Sequence, residues 1–170
     1  AKLNNLKQAA KTMNFLTEHG ISSYGELESK LTAISARRDT AHAEIKRVES
    51  RSTELALVMK HAGTYRQLKP LYDRYRKSND KEKFLRGHES EIILFEAAAR
   101  ELKRLGAVPL PTTESMKTEL ANLNAEKERL LTEYKTARTE AQEYDTIKQN
   151  VDALLAVPKE QEQQRRHELE

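Results

Sequence analysis

Residues 112–157 read TTESMKTELANLNAEKERLLTEYKTARTEAQEYDTIKQNVDALLAV, a run that contains neither glycine nor proline. Stepping through it by alternating fours and threes picks out Met116, Leu120, Leu123, Lys127, Leu130, Tyr134, Ala137, Ala141, Tyr144, Lys148, Val151 and Leu155. Ten of these twelve positions are apolar or aromatic in a chain that is 37% hydrophobic overall, which marks the seam of one long helix with a heptad pattern. At a rise of about 1.5 Å per residue such a helix would extend roughly 65–70 Å. A compact core built from this chain could not wrap it, so it needs a partner helix of similar length.

Residues 23–62 supply that partner. The same stepping gives Leu27, Leu31, Ile34, Arg38, Ala41, Ile45, Val48, Ser52, Leu55, Met59 and Ala62, nine of eleven apolar. Two matched seams in one chain predict an antiparallel pair. The expected fold class is therefore all-α: an elongated antiparallel coiled-coil hairpin with a short N-terminal helix and a small helical head at the hairpin tip. The expected register places Ala62 near Leu120, Met59 near Leu123, Val48 near Tyr134, Ala41 near Ala141 and Leu27 near Leu155. Arg38 would then lie against Tyr144 and Lys127 against Leu55, their stems packed and their charged heads in water.

Composition agrees with a helical protein of this kind. The 170 residues include 34% charged and only 5% aromatic side chains, so most buried surface should lie in the seam. There is no cysteine, which removes disulfides and thiolate metal sites and accords with a cytoplasmic location. No apolar run reaches the ~20 residues of a membrane span, so no membrane insertion is expected. The opening alanine and the polar ending suggest a piece excised from a longer protein.

In chain order, Leu3, Leu6, Ala9, Ala10, Met13 and Leu16 form the apolar face of a first helix that stops at Gly20. That face is expected to pack against Leu27, Val151 and Leu155. Ser23 and Glu26 have capping-box spacing at the start of the first long helix, and segment 1–62 forms one unit. Gly63, Thr64 and Pro70 are expected to interrupt the helical pattern beyond Ala62, leaving a short helix over 65–77 that breaks near Lys69. Asn79 and Glu82 have the spacing to cap a short turn ending near Gly87. A further helix over 89–105 presents Ile92, Ile93, Phe95, Ala98, Ala99, Leu102 and Leu105, and ends at Gly106. Val108-Pro109-Leu110-Pro111 makes a rigid entry to the last helix, capped by Thr112 or Thr113. Segment 63–111 is thus the small basic head, 112–157 the second long helix, and 158–170 a polar, disordered tail.

Charge is uneven along this plan. Residues 60–86 hold Lys60, Arg66, Lys69, Arg74, Arg76, Lys77, Lys81, Lys83 and Arg86 against Asp73, Asp80 and Glu82, a net of +6 in a chain whose net charge is +3. Tyr65, Tyr72 and Tyr75 are interleaved with these cations. Cations for phosphates and rings for base stacking are the combination used in sequence-tolerant nucleic-acid binding. The other reading is that the tyrosines pack the head and the charges only solvate it.

Chemistry beyond binding has little support. His19, His42, His61, His88 and His167 are scattered, without a His-x-His pair or an HExxH motif. His88-Glu89-Ser90-Glu91 gathers possible ligands, but at a helix start it more simply supplies negative charge near the positive dipole end. The glycines are isolated, so no phosphate-cradling loop is present. Neither catalysis nor a metal or other cofactor is expected. Homodimer formation by exchange of hairpin arms is compatible with the pattern and is not required by it.

The block from Asn5 through Ile21, NLKQAAKTMNFLTEHGI, followed by Ser23-Tyr24 and Glu26-Leu27-Glu28, resembles the region after the nuclease domain in relaxase/mobilisation nucleases of Gram-positive conjugative elements. Tyr72, Tyr75-Arg76-Lys77, Lys83-Phe84, His88 through Leu94 and Asn150-Val151-Asp152 are similar to the same proteins. The resemblance spans most of the chain, and its first block is the most specific part. It implies a non-catalytic helical region of a DNA-nicking enzyme. The nicking tyrosine and the metal-binding histidines of that family belong to a preceding domain, and no residue here matches them. It further implies, as partners, DNA at a transfer origin or the transferred strand, and relaxosome or coupling proteins of the transfer machinery. A purely structural protein-interaction module without DNA contact is the alternative.

Overall fold

The computed structural model describes residues 2–167, with side chains through Ala156 and that of Arg166. Four α-helices follow one another: α1 (Lys2–Glu18), α2 (Tyr24–Lys77), α3 (Lys81–Arg104) and α4 (Thr113–His167), with no strand among the described residues. The chain divides into two compact units, Ala1–Glu44 with Leu130–Glu170, and Ile45–Arg129. The divisions fall inside the two long helices rather than after Ala62 and Pro111.

In the first unit α2 and α4 run antiparallel, shown by Tyr24 Oη donating to Asp152 Oδ1 (2.6 Å) and Arg37 Nη2 to Glu140 Oε2 (3.5 Å). Leu27, Ile34, Ala141, Tyr144 and Ile147 form its core together with Phe15 and Ile21, and partly buried Leu16, Leu31 and Val151 pack against them. In the second unit the antiparallel sense is set by Arg47 to Glu126 (2.8 Å), Arg51 to Glu119 (2.6 Å) and Lys127 to Glu49 (3.0 Å). Its buried apolar residues include Val48, Leu55, Val58 and Ala62 on α2, Ile92, Phe95, Ala98 and Leu102 on α3, and Met116 and Leu123 on α4. The apolar seams read from the sequence are thus the buried faces of a helical hairpin.

The register is displaced from the expected one by about one heptad. In the expected register Arg37 would face Asp145, and Arg47 would face Lys135. Glu49 would face Glu133. Arg37 instead bonds Glu140, Arg47 bonds Glu126, and Glu49 meets Lys127. Arg38 sits beside Tyr134 rather than Tyr144, and Ala141 packs in the cluster of Ile34. A seam with alternating steps of three and four superimposes on itself after seven residues, so apolar spacing cannot separate these registers. Charge separates them, because the observed one replaces two like-charge meetings with ion pairs.

Several expected interruptions do not break the helices. α2 passes through Gly63, Thr64 and Pro70 without ending. Pro70 removes one hydrogen bond to the carbonyl of Arg66, and both residues are exposed, so water can take its place. A methyl group at Gly63 would meet nothing within 4 Å, so nothing but backbone entropy opposes helix there. α3 begins at Lys81 with Asp80, not Asn79, as its cap: Lys83 N donates to Asp80 Oδ1 at 3.0 Å. The break expected near Gly87 appears as a kink at His88 (φ −139°, ψ 26°) inside α3. α4 runs to His167, ten residues beyond the expected end at Val157. Glu160 to Arg166 are all unbranched side chains with good helix propensity, which carries a helix without seam residues. Residues 168–170 of the expected tail lie outside the described residues.

The end signals are those of the sequence. Gly20 (φ 61°) closes α1 with Ile21 N donating to Leu16 O (2.8 Å) and Gly20 N to Thr17 O (3.2 Å). Gly106 (φ 69°) closes α3 likewise, through Ala107 N to Leu102 O (2.9 Å). Both are left-handed terminations in which an apolar residue after the glycine returns to the core. Ser23 Oγ accepts from Glu26 N (3.2 Å), but the Glu26 carboxylate reaches back to Ser22 N (2.7 Å) and Ser22 Oγ (2.9 Å). These bonds, the Ser22 backbone N–H first, hold Glu26 below the usual carboxylate range. At the start of α4, Thr112 Oγ1 accepts from Ser115 N at 3.1 Å.

α1 packs through only one edge of the expected face, where Leu16 meets the core, and turns the rest of that face to solvent. Thr12 and Phe15 are its buried residues, while Leu3, Leu6 and Met13 are exposed. Leu27 and Val151 lie in the core that α1 meets, as expected, but Phe15, absent from the expected face, is its main contributor from α1, and Leu155 is exposed. Beside the apolar contact of Phe15 and Leu16, a polar clasp joins α1 to α4: Gln8 Nε2 donates to Asn150 Oδ1 (2.7 Å), Asn150 Nδ2 to Thr12 Oγ1 (3.3 Å), and Thr12 Oγ1 to Gln8 O (2.9 Å). Thr12 is 0% exposed and fully bonded, so its burial costs little.

Two measurements check this fold. The double variant Arg37→Cys/Glu140→Cys is expected to cross-link efficiently with a short bis-maleimide, and Arg37→Cys/Asp145→Cys poorly; the reverse order of yields would favour the register expected from the seams alone. Gly63→Ala is expected to raise unfolding stability by about 0.5–1 kcal/mol in urea titrations, since the added methyl meets no neighbour.

Candidate nucleic-acid interface

The twelve residues singled out by the sequence all lie in the second unit, and the structure sorts them into three groups. The tyrosines are packing residues of the α2–α3 contact. Phe95 stacks on Tyr72 (centroids 4.2 Å apart) and on Tyr65 (4.7 Å), while Tyr75 inclines against Phe84 at 6.0 Å. One face of Tyr65 and one of Tyr72 are thereby occupied, and all three tyrosines are half-buried.

A second group of cations is held within the unit. Arg66 donates to Thr113 Oγ1 (2.9 Å) and to the Pro111 carbonyl, fastening the entry of α4 to α2. Lys69 pairs with Asp73 across one turn (3.1 Å), and Arg86 with Glu82 at 3.6 Å. Lys60 is exposed but lies fourteen residues before Arg74 on α2, roughly 21 Å along the helix.

What remains is a local cluster at the α2–α3 junction. Arg74, Arg76 and Lys77 end α2, and Lys81 and Lys83 begin α3, across the turn 78–80. All five are exposed and no hydrogen bond or ion pair among the described residues holds their charged groups. The two acids of the same stretch pair with none of these charged groups: Asp80 caps α3 through the backbone N of Lys83, and Glu82 meets Arg86.

Helix dipoles explain part of this arrangement. Three cations in the last turn of α2 complement its negative end. Lys81 and Lys83 stand in the first turn of α3, where the dipole end is positive and cations are disfavoured. A need to stabilise helices accounts for the first group and not for the second. The arrangement can take a polyanion, whose phosphates would replace water around charges that the protein leaves uncompensated.

The α3 kink brings His88 Nδ1 to 2.9 Å from Glu91 Oε2, and the imidazole tilts on Phe84 at 4.7 Å. Among the described residues no group of three or more His, Asp or Glu side chains could hold a metal ion. A cleft of about 560 Å³ in the same unit is lined by Tyr65, Leu102, Ala107, Val108 and Leu110 with Lys103 at its wall, an apolar surface without converging polar groups. No helix among the described residues is long and apolar enough to cross a membrane. Compared with family models, with curated proteins and with solved structures, the chain shows no significant match.

The aromatic contact provides a direct check. Phe95→Ala is expected to destabilise the protein by about 3–4 kcal/mol, because a buried ring that two tyrosines stack on leaves a cavity. Chemical denaturation measures it. A loss below about 1 kcal/mol would mean the tyrosines do not depend on this stack and are available to other rings.

Proposed function

We propose that this chain is the non-catalytic helical region of a relaxase-type mobilisation protein, and that its α2–α3 junction contacts DNA during transfer. The observation that carries the DNA contact is the set of five uncompensated cations, Arg74, Arg76, Lys77, Lys81 and Lys83, two of them at the end of a helix that disfavours positive charge. The resemblance of the stretch from Asn5 through Ile21 and of Tyr75-Arg76-Lys77 to that family supports the transfer context. Contact is to the phosphate backbone, since the tyrosines that could stack on bases are engaged with Phe95 and Phe84. Such binding tracks charge and not base sequence. No step of catalysis is assigned to this region.

Fluorescence anisotropy with labelled single-stranded and duplex DNA at two salt concentrations tests the reading. Affinity is expected to fall steeply with salt, with a log–log slope near −4 to −5 on duplex if about five phosphates are neutralised. The triple reversal Arg74→Glu/Arg76→Glu/Lys77→Glu should abolish binding, while Lys60→Glu should change it little. No binding at low salt, or binding indifferent to the triple reversal, would remove DNA contact and leave a protein-interaction module.

A further inference from the structure

α1 turns its aliphatic side to solvent. Leu3, Leu6 and Met13 are 70%, 69% and 58% exposed, and Ala10 between them is exposed as well. At about 100° per residue these four fall within roughly 80° of one another, nearly opposite the face that holds Thr12 and Phe15. Their spacing of three, four and three is the spacing of the buried seams on α2 and α4. A stripe this narrow is a helix-pairing seam; a helix that lies on a lipid surface or a broad core shows a wider apolar face.

The rim of the stripe states the chemistry of its partner. Lys2 and Lys7 occupy the two positions that flank such a seam, Lys11 follows one turn after Lys7, and all three are exposed. No acidic residue occurs in α1 before Glu18. A second copy of this chain would bring lysine to lysine, whether the two helices ran parallel or antiparallel, and like charges at flanking positions oppose pairing. We infer that the outer face of α1 is a docking seam for one helix of a partner protein, with apolar residues at three–four spacing and Glu or Asp on both flanks. This surface lies in the first unit and does not involve the α2–α3 junction, so its test is independent of DNA binding.

Two labelled three-heptad peptides serve as probes, both with leucine along the seam, one with glutamate and the other with lysine at every flanking position. Anisotropy against the whole chain is expected to show the glutamate peptide binding at micromolar concentrations, at least tenfold more tightly than the lysine peptide. Leu6→Glu/Met13→Glu should weaken it at least tenfold with unchanged helicity by circular dichroism, as both side chains are exposed. Should that variant lose helicity, Lys2→Glu/Lys7→Glu decides the matter, because it keeps the apolar seam and should reverse the preference toward the lysine peptide. Equal binding of both peptides, or binding of neither, overturns the inference. So does dimerisation of the chain in sedimentation that Leu6→Glu/Met13→Glu abolishes, or adsorption to phosphatidylserine vesicles that the same variant abolishes; these would assign the stripe to a second copy or to lipid.

Discussion

The pairing of the α2 and α4 seams is the contact on which everything else rests. Each helix concentrates its apolar residues in one stripe, and helices of this kind gain most of their stability from tertiary packing and little from intrinsic propensity. Burying Val48, Leu55, Met116 and their neighbours contributes about 1.5–3 kcal/mol per large side chain. That gain hardly changes if one helix slides by a heptad, because the seam then meets an equivalent seam. The smaller force therefore decides the register. Four cross-helix ion pairs, Arg37–Glu140, Arg47–Glu126, Arg51–Glu119 and Lys127–Glu49, are each partly exposed and together contribute roughly 1–4 kcal/mol. Sliding by a heptad exchanges part of that for repulsion at no gain in burial.

Arg51 illustrates how the selection is reinforced. Its guanidinium is bonded by Glu119 across the pair and by Glu54 one turn along its own helix, and these two carboxylates keep it protonated well above even the usual arginine range. The intrahelical bond to Glu54 orients the fork that meets Glu119, so less side-chain freedom is lost when the cross-helix bond forms. In the first unit the Gln8–Asn150–Thr12 clasp acts in a comparable way. A buried hydroxyl satisfied by an amide on another helix accepts one alignment and penalises its neighbours by leaving polar atoms unpaired.

The all-helical class, the two seams and the glycine-ended helices were legible because each depends on local periodicity or on one residue's backbone freedom. Register was not, since a periodic pattern is blind to shifts by its own period and the charges have to be weighed pair by pair. The buried face of α1 was hidden for a different reason: most of its leucines carry the apolar signal to the exposed side, while the packed side combines Phe15 and Leu16 with a polar clasp. Thr12, Gln8 and Asn150 give no apolar signal, and only their mutual spacing across 138 residues makes them a contact. Gly63 and Pro70 have the local signature of breaks, yet a long paired helix tolerates one missing hydrogen bond at an exposed position. The basic junction was legible as charge because its residues are close in sequence. The engagement of Arg66 was not, since Thr113 and Pro111 meet it only through folding, whereas Lys69–Asp73 and Glu82–Arg86 are spaced four apart along one helix.

The junction also shows what the fold tolerates. Cations at the start of α3 cost about 0.3–1 kcal/mol each against the helix dipole at low ionic strength, and five like charges around a single turn add repulsion to that. Asp80 recovers part of it by capping α3, and Glu82 supplies an acid in its first turn. An anion seated at the turn would relieve both terms at once, because it meets the free N–H groups of α3 and the side-chain charges together. Any ligand that binds the folded turn and not the unfolded chain shifts the folding equilibrium toward the folded form. If the turn binds a polyanion as proposed, the repulsion within it and that affinity would be two expressions of one charge distribution, so a substitution that eases the first would weaken the second.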